Sequence, residues 1–209
     1  MSIVRYSLGD MDNNTYLIVD EATGEGAIVD PSFDSDNLLT DILSKVSRLK
    51  YVLNTHAHFD HIIGNGFYVE QTGALLALNR LDLPLLRALP EQGRRFGFDF
   101  TPSPDPSIYL EEGVPIQLGE TEIEVRETPG HSPGHVVFVI GTDVICGDCL
   151  FRGSIGRTDL PGGSLQTLLH SITTRLLTLP DTTRALSGHG DETTIGHERQ
   201  TNPYLQGLA

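Results

Sequence analysis

A short histidine-rich run is the feature that most constrains this chain. His56, His58, Asp60 and His61 lie directly after the apolar residues 51–53. An apolar run of this kind predicts a strand, so these side chains are expected where a strand ends and a loop begins. In extended backbone, residues two apart point the same way, so His56 and His58 can face one point. Asp60 and His61 follow after a bend and can face a second point. Imidazole and carboxylate groups suit zinc, iron or manganese, so the run predicts a site for two metal ions.

Three further candidate ligands lie later in the chain, and they are His131, Asp148 and His189. Each follows or ends a predicted strand, and these strands cover residues 121–127, 143–148 and 184–187. Proteins of the α/β class commonly build their sites at the carboxyl ends of strands. A glycine precedes each candidate and lets the backbone turn sharply. We therefore expect these side chains to converge on the histidine-rich run.

The order of the predicted elements is that of an α/β protein. The predicted strands are residues 3–6, 14–20, 27–30, 51–53, 74–78, 114–118, 121–127, 135–140, 143–148 and 184–187. The predicted helices are residues 34–49, 62–71, 81–89, 165–179 and 195–205. Since no low-complexity linker divides the chain, we predict a single domain over residues 1–209, made of two halves that each contain strands and helices.

Residues 80–110 are predicted to form an insertion that acts as a lid. Its later part, residues 90–106, is rich in proline, glycine and aromatic residues. Long irregular connections in compact domains are often functional. Phe96, Phe98 and Phe100 alternate there, and they either line a substrate entrance or anchor the loop to the core.

The composition argues against several classes of partner. The chain has 14 basic and 28 acidic residues, for a formal net charge of -14. Nucleic acids and anionic membranes both favour a basic face, so neither is expected as a partner. The N-terminus has no basic region followed by an apolar one, and no apolar stretch approaches membrane-spanning length. We expect a cytoplasmic protein, monomeric or homodimeric, that acts on a small molecule.

The two cysteines, Cys146 and Cys149, form a C-x-x-C pattern. Alone, this pattern indicates a redox pair or half of a zinc site. Here it falls at the end of a predicted buried strand, and the sequence contains no second cysteine pair. This setting favours two small buried hydrophobic residues over a redox pair.

The order of these motifs resembles that of the metallo-β-lactamase superfamily. The chain has His-x-His-x-Asp-His at residues 56–61, then Pro-Gly-His, Gly-Asp and Gly-His around the three later candidates. The wording of residues 128–135, 147–151 and 153–159 resembles the glyoxalase II-like hydrolases in particular. The resemblance covers nearly the whole chain. It implies an αββα four-layer sandwich of two mixed sheets flanked by helices, with the site at one edge.

The same resemblance implies two groups of metal ligands. One metal would be bound by His56, His58 and His131. The other would be bound by Asp60, His61 and His189. Asp148 would bridge the two ions. The expected ion is zinc, with iron or manganese as alternatives.

The resemblance further implies a dinuclear metal-dependent hydrolase. In such enzymes a metal-bridging hydroxide attacks a carbonyl, and here the substrate would be a thioester such as S-D-lactoylglutathione. Asp60 and Asp148 would be the catalytic carboxylates. Full-length glyoxalase II enzymes carry an additional C-terminal helical domain that contributes to the glutathione site. Only residues 190–209 follow the last ligand in this sequence, so glutathione binding stays open.

Three alternative functions stay open. A mononuclear iron persulfide dioxygenase belongs to a similar family and shares the wording Gly-Arg-Thr-Asp at residues 156–159. A lactone or β-lactam hydrolase would use the same nucleophile with a different pocket. A non-enzymatic metal-binding module is the third.

Four further residues have expected roles other than metal binding. Arg157 either binds a substrate carboxylate or pairs with Asp159. His135 is expected to orient the ligands rather than to bind metal. His170 and His197 lie in predicted helices and are expected to be structural.

Overall fold

Two six-stranded sheets form the centre of the molecule. The computed structural model describes residues 1–207, so the last two residues of the predicted domain lie outside the described part. The first sheet has the strand order β1-β2-β3-β4-β5-β6, and β3 to β6 run parallel. Its strands are β1 (Ser2–Leu8), β2 (Asn13–Val19), β3 (Glu25–Val29), β4 (Arg48–Leu53), β5 (Leu75–Asn79) and β6 (Ile108–Leu110). Because β1, β2 and β3 pair antiparallel, this sheet is mixed.

The second sheet is also mixed and has the strand order β14-β13-β10-β9-β8-β7. Its strands are β7 (Ile116–Leu118), β8 (Thr121–Glu127), β9 (Val136–Ile140), β10 (Asp143–Gly147), β13 (Arg184–Ser187) and β14 (Thr193–Thr194). Only β10 and β13 pair in parallel. A separate hairpin joins β11 (Leu150–Phe151) to β12 (Ser154–Ile155).

Within residues 1–207, seven α-helices accompany the sheets. They are α1 (Leu39–Lys45), α2 (Phe59–Ile62), α3 (Asn65–Thr72), α4 (Leu83–Arg87), α5 (Leu89–Arg95), α6 (Leu165–Ser171) and α7 (Ile195–Thr201). Helices α1 and α3 cover the outer face of the first sheet, and α6 and α7 cover that of the second. The predicted αββα sandwich is therefore confirmed. Within residues 1–207, no helix has the length and apolar content needed to cross a membrane.

Strand β2 shows why the sheets stack. Tyr16 and Ile18 point into the apolar core between the two sheets, where Phe138 of β9 also lies. Leu17 and Val19 point the other way, into the core beneath the helices of the first sheet. Successive side chains of a strand face opposite sides, so a continuously apolar strand must be covered on both faces. The sequence of β2 thus requires a layer on each side of the sheet.

The prediction of one helix over residues 34–49 is wrong at both ends. The chain forms a 3₁₀ turn at Ser35–Leu38, then α1, and β4 already begins at Arg48. Val46 has extended backbone angles, and the residues after it pair in parallel with β3. Leu49, which fitted the helical spacing, is buried in the core on the helix side of the sheet. Hydrogen bonding to β3 therefore determines the structure of these residues.

The helix predicted over residues 62–71 is divided into α2 and α3 by Gly64. The Gly64 N–H donates to the carbonyl of Pro31 at 2.8 Å. A β-carbon at this position would lie 2.8 Å from that same oxygen. The close approach of the two backbones requires glycine and bends the chain between the helices.

The predicted irregular stretch over residues 90–106 is wrong at its start, because α5 continues to Arg95. Pro90 lies in the first turn of α5, where proline is tolerated. The Gln92 side chain accepts from the N–H of Phe59 and donates to the carbonyl of Ala57, both at 3.1 Å. The insertion is thereby attached to the histidine-rich run, and its motion as a lid stays a prediction.

Candidate metal centre

The seven predicted ligands lie together at one edge of the sandwich. The first four follow β4, and the other three follow β8, β10 and β13. Strands β8 and β10 both pair antiparallel to β9, and β13 is parallel to β10, so these three strands run the same way. Their carboxyl ends therefore meet at one edge, which brings together His56, His58, Asp60, His61, His131, Asp148 and His189.

His56, His58 and His131 form the first group. Nδ1 of His58 lies 2.8 Å from Nε2 of His131. The His56 ring centroid lies 4.9 Å from that of His58 and 4.8 Å from that of His131. All three side chains are buried, and each offers one nitrogen within 4.8 Å of the others. Three imidazoles at this spacing suit a tetrahedral cation with one position left open.

Asp60, His61 and His189 form the second group. Nε2 of His189 lies 3.3 Å from Nε2 of His61 and 3.3 Å from Oδ2 of Asp60. Oδ2 of Asp60 lies 3.4 Å from Nε2 of His61. This group contains a carboxylate and is more open than the first, because a quarter of the His189 side chain is exposed.

Asp148 contacts both groups. Its Oδ2 atom lies 3.5 Å from Nε2 of His131 in the first group and 3.5 Å from Nε2 of His189 in the second. Its Oδ1 atom lies 3.4 Å from Nε2 of His61. The structure thus places this carboxylate where the resemblance expects a bridging ligand.

In four of the histidine rings, the Nδ1 atom contacts a backbone carbonyl or the side chain of another residue. Nδ1 of His131 donates to the carbonyl of Arg157, and Nδ1 of His189 donates to the carbonyl of Met11, both at 2.8 Å. Nδ1 of His56 lies 3.0 Å from the Thr55 hydroxyl, and Nδ1 of His61 lies 3.2 Å from an Asp30 oxygen. Such partners orient a ligating imidazole and leave its other nitrogen free to bind.

Nitrogen and oxygen atoms without hydrogen-bond partners show that these residues fit divalent cations. Within residues 1–207, Nε2 of His56 and Oδ1 of Asp148 are buried without a hydrogen-bond partner. Nε2 of His131 contacts Nδ1 of His58, which belongs to another proposed ligand. Buried polar atoms are normally paired, so a cluster of inward-facing lone pairs is costly without a cation.

Burial and neighbouring charge separate the two groups in the cation-free protein. Burial lowers the pKa of His56 well below its usual range and, with help from nearby histidines, lowers the pKa of His58 to about 4. In the second group burial acts the same way, but the Asp148 carboxylate helps to outweigh it. The pKa of His61 is raised well above its usual range, and that of His189 is raised to about 10. In turn, His61 helps to hold the pKa of Asp148 well below its usual range, although burial opposes this.

These pKa values predict that the second group releases protons when it binds a cation. At pH 7, His58 is neutral and His189 is protonated, and a metal binds only the neutral imidazole. We expect the second cation to displace about one to two protons at pH 7. The number should fall as the pH rises through about 10, where His189 deprotonates unaided. Calorimetric titration of the cation-free protein in buffers of different ionisation enthalpy measures the number of protons released. A binding enthalpy at the second group that is independent of the buffer at pH 7 would contradict the prediction.

Asp30 supports the site and was missed in the sequence. It directly follows β3 and accepts from the N–H and the hydroxyl of Thr55, at 2.8 Å and 2.6 Å. Its Oδ2 atom also lies near His61. Asp30 lies within ligand distance of His56 and His61, but both of its oxygens are already engaged, so we assign it to positioning. Its place at the end of an apolar run, like the other candidates, was the available signal.

Asp82 was also missed, and it joins the two histidine loops. Its side chain is fully buried and accepts from the N–H of Ala57 at 3.0 Å. It also accepts from the hydroxyl of Ser132 at 2.7 Å and from the N–H of Gly134 at 2.6 Å. One carboxylate therefore holds the loop that contains His56 and His58 against the loop that contains His131.

His135 lies against the ligands, as predicted for an orienting residue. Its Nε2 atom accepts from the N–H of Asp148 at 3.2 Å, and its Nδ1 atom lies 2.8 Å from the Thr128 hydroxyl. The His135 ring stacks on that of His56 with centroids 5.1 Å apart. Both nitrogens are engaged, so His135 has no free lone pair for a metal.

Arg157 is paired with Asp159, one of its two predicted roles. Two hydrogen bonds of 2.8 Å join the guanidinium to the carboxylate at the surface. The Arg157 side chain also lines the cavity over the site, so contact with substrate stays a prediction. Gly156 fits here because a β-carbon would overlap the carbonyl oxygen of Asp148.

The two cysteines are buried and free in the core beneath α6. Burial raises the pKa of Cys146 well above its usual range and that of Cys149 to about 12. Both thiols therefore stay protonated near neutral pH and are poor nucleophiles. This environment agrees with the interpretation as small hydrophobic residues.

Comparison with known proteins identifies the family. The family profile described as "Metallo-beta-lactamase superfamily" matches residues 8–189. The chain is 38% identical to hydroxyacylglutathione hydrolase GloC of Haemophilus influenzae, over 92% of each chain. Its structure is similar to that of BLEG-1 B3 metallo-beta-lactamase, with a TM-score of 0.91 and 34% identity, covering 99% of this chain and 100% of that one. It is also similar to TTHA1623 in a di-iron-bound form, with a TM-score of 0.88 and 39% identity, covering 97% and 100%. From its fold, its clustered histidines and carboxylates, and these matches, the chain belongs to the metallo-beta-lactamase superfamily.

Proposed function

We propose that this protein is a dinuclear metal-dependent hydrolase that cleaves thioesters such as S-D-lactoylglutathione. The observation that supports this best is the position of Asp148, whose carboxylate lies within 3.5 Å of nitrogen atoms in both groups. Two cation sites that share one carboxylate are close enough to share a water molecule. Residues 1–209 would form one hydrolase domain.

The proposed ligands are His56, His58 and His131 for one cation, Asp60, His61 and His189 for the other, and Asp148 between them. Five imidazoles and two carboxylates suit zinc best, with iron or manganese as alternatives, since the set contains no thiolate. Two divalent cations bound here would lower the pKa of a shared water and polarise a carbonyl. Asp60 and Asp148 supply two negative charges against four positive ones, so the loaded pocket stays cationic.

The chain supplies the site for water attack rather than a side-chain nucleophile. Among the described residues, those that line the cavity of about 400 Å³ include no serine, cysteine or lysine. Hydrolysis would form a bond from the water oxygen to the carbonyl carbon and break the bond from carbon to sulfur. The water supplies the two protons that the carboxylic acid and the thiol require between them.

In addition to binding the second cation, Asp60 would help to relay a proton. Its side chain is mostly buried and also lines the cavity. The Asn13 amide donates to Oδ2 of Asp60 at 3.0 Å and to its backbone carbonyl at 3.2 Å. These two contacts hold the carboxylate beside His61 and His189, where the three side chains would bind the second cation.

The choice of thioesters is supported by the relative whose name specifies a substrate class. GloC is a hydroxyacylglutathione hydrolase and is 38% identical to this chain. A thiolate leaves readily once the carbonyl is attacked, so positioned water and electrostatic stabilisation suffice. Lactone and β-lactam hydrolysis would use the same water, and similarity to a B3 metallo-beta-lactamase makes the latter worth testing.

Metal content and activity measured on one purified sample test the proposal. We expect about two divalent cations per chain and release of thiol from S-D-lactoylglutathione without oxygen uptake. The panel should include a lactone, a β-lactam and glutathione persulfide. About one iron per chain with oxygen consumption on the persulfide would support the dioxygenase instead. Two cations with no hydrolysis of any thioester would overturn the thioester assignment.

A further inference from the structure

The cavity over the metal centre has a polar floor and an apolar wall. The floor is formed by proposed ligands, among them His58, Asp60 and Asp148. Besides the buried Phe59, the wall contains six apolar side chains from three parts of the chain, and they are Met11, Leu85, Ala88, Phe96, Leu160 and Pro161. A substrate whose carbonyl lies at the floor can place one of its flanking groups along this wall.

Phe96 is the largest side chain of the wall, and its position is fixed by packing. Its ring stacks on that of Phe59 with centroids 4.9 Å apart and 27° between the planes. Phe59 follows the ligand His58 directly and is buried. Phe96 itself is 57% exposed. A held and exposed aromatic face next to the reaction centre is a favourable surface for an apolar group.

The arginine side chains at the rim of the cavity are paired with carboxylates of the same chain. Arg95 and Arg157 both line the cavity. Arg95 pairs with Glu91 at 2.6 Å, and Arg157 pairs with Asp159 at 2.8 Å. The formal charge of the whole chain is -14, so an anionic group would be attracted by the metal-loaded floor and not by the rim. The rim therefore favours no strongly anionic group, and the apolar wall is its most distinctive surface.

We propose that the enzyme prefers thioesters in which an uncharged apolar group flanks the scissile carbonyl and lies against the Phe96 wall. This inference rests on the proposed thioester hydrolysis and narrows its substrate class. A lactoyl group is small and polar, so it would cover little of the wall. Each methylene removed from water against an apolar wall can raise kcat/KM by up to about fourfold.

Two series of thioesters test which flanking group is recognised. In the first, glutathione is kept and the acyl group changes from D-lactoyl and acetyl to butanoyl and hexanoyl. In the second, acetyl is kept and the thiol changes from ethanethiol to hexanethiol. With the metal-loaded protein and thiol release as readout, kcat/KM should rise at least about tenfold along one series. The series in which kcat/KM rises shows whether the acyl side or the thiol side of the substrate lies against the wall.

A pair of phenylalanine variants tests the wall itself. Phe96→Ser should reduce the ratio of kcat/KM between the long and the short substrate at least about fivefold. Phe98→Ser is the matched control, because Phe98 is 42% exposed and stacks in the same aromatic cluster but is not part of the wall. We expect the control to keep the ratio of the unsubstituted protein. Thermal unfolding of both variants checks that each is folded.

The possible outcomes separate this inference from the proposed function. Hydrolysis with no dependence on chain length in either series would overturn the inference and leave the proposed function intact. The same holds if both phenylalanine variants change the ratio equally. If the metal-loaded protein cleaves no thioester, the proposed function fails and the inference fails with it.

Discussion

Replacing His58 with alanine is expected to reduce kcat/KM for thioester hydrolysis by roughly 10³-fold or more. Groups that only orient a ligand contribute about 10- to 100-fold to metal affinity or activity, so a ligand should contribute more. Nδ1 of His58 lies 2.8 Å from Nε2 of His131, so the variant removes one of three nitrogens from the first group. Steady-state kinetics with metal content measured on the same sample tests this.

The fold should survive the His58→Ala change. His58 lies in a loop between β4 and α2, and the only polar contact of its side chain within residues 1–207 is with another proposed ligand. His170→Ala is the matched control, because His170 is exposed on α6 and lies outside the site. We expect the control to keep both activity and metal. Undiminished hydrolysis by His58→Ala would refute the metal-centre assignment.

Replacing Asp82 with alanine is expected to destabilise the protein by roughly 3 kcal/mol and to lower its metal affinity. The change leaves three buried donors without their acceptor, namely the N–H of Ala57, the hydroxyl of Ser132 and the N–H of Gly134. Each unpaired buried donor costs about 1–3 kcal/mol, although the costs are not additive. Denaturant unfolding gives the change in stability, and competition with a chelator gives the metal affinity.

Asp105→Ala is the matched control for Asp82→Ala. Asp105 lies in the same insertion and is exposed, and its only ion pair within the described residues is with Arg87. Exposed pairs contribute about 0–1 kcal/mol, so the control should be nearly neutral. If Asp82→Ala unfolds like the control and binds metal as tightly as the unsubstituted protein, Asp82 does not hold the two loops together.

All seven proposed ligands could be selected from the sequence because each combines a ligating side chain with a strand end. The two residues that support them differ in this respect. Asp30 also directly follows a strand, and that position was a signal in the sequence, whereas Asp82 does not directly follow a strand. The hydrogen-bond partners of both are remote in sequence, such as Thr55 for Asp30 and Gly134 for Asp82, so their supporting roles depend on contacts across the fold.

The predicted boundaries of helices and strands are wrong where backbone contacts outweigh side-chain periodicity. Residues 46–49 have apolar spacing compatible with a helix, but pairing with β3 begins the strand at Arg48. Gly64 interrupts a predicted helix because it meets the backbone of Pro31. The aromatic residues of the insertion divide between the two interpretations. Phe100 packs against Phe33 and so anchors the insertion, whereas Phe96 lines the cavity, where contact with substrate stays a prediction.

The position of the site between the sheets has a consequence for the assembly of the protein. The first sheet delivers His56 to His61, and the second delivers His131, Asp148 and His189. A pair of bound ions would cross-link segments that are far apart along the polypeptide, and only the native arrangement brings them together. Any ligand that binds the native state alone shifts the folding equilibrium towards it. Metal supply would then govern the persistence of the folded chain as well as its chemistry.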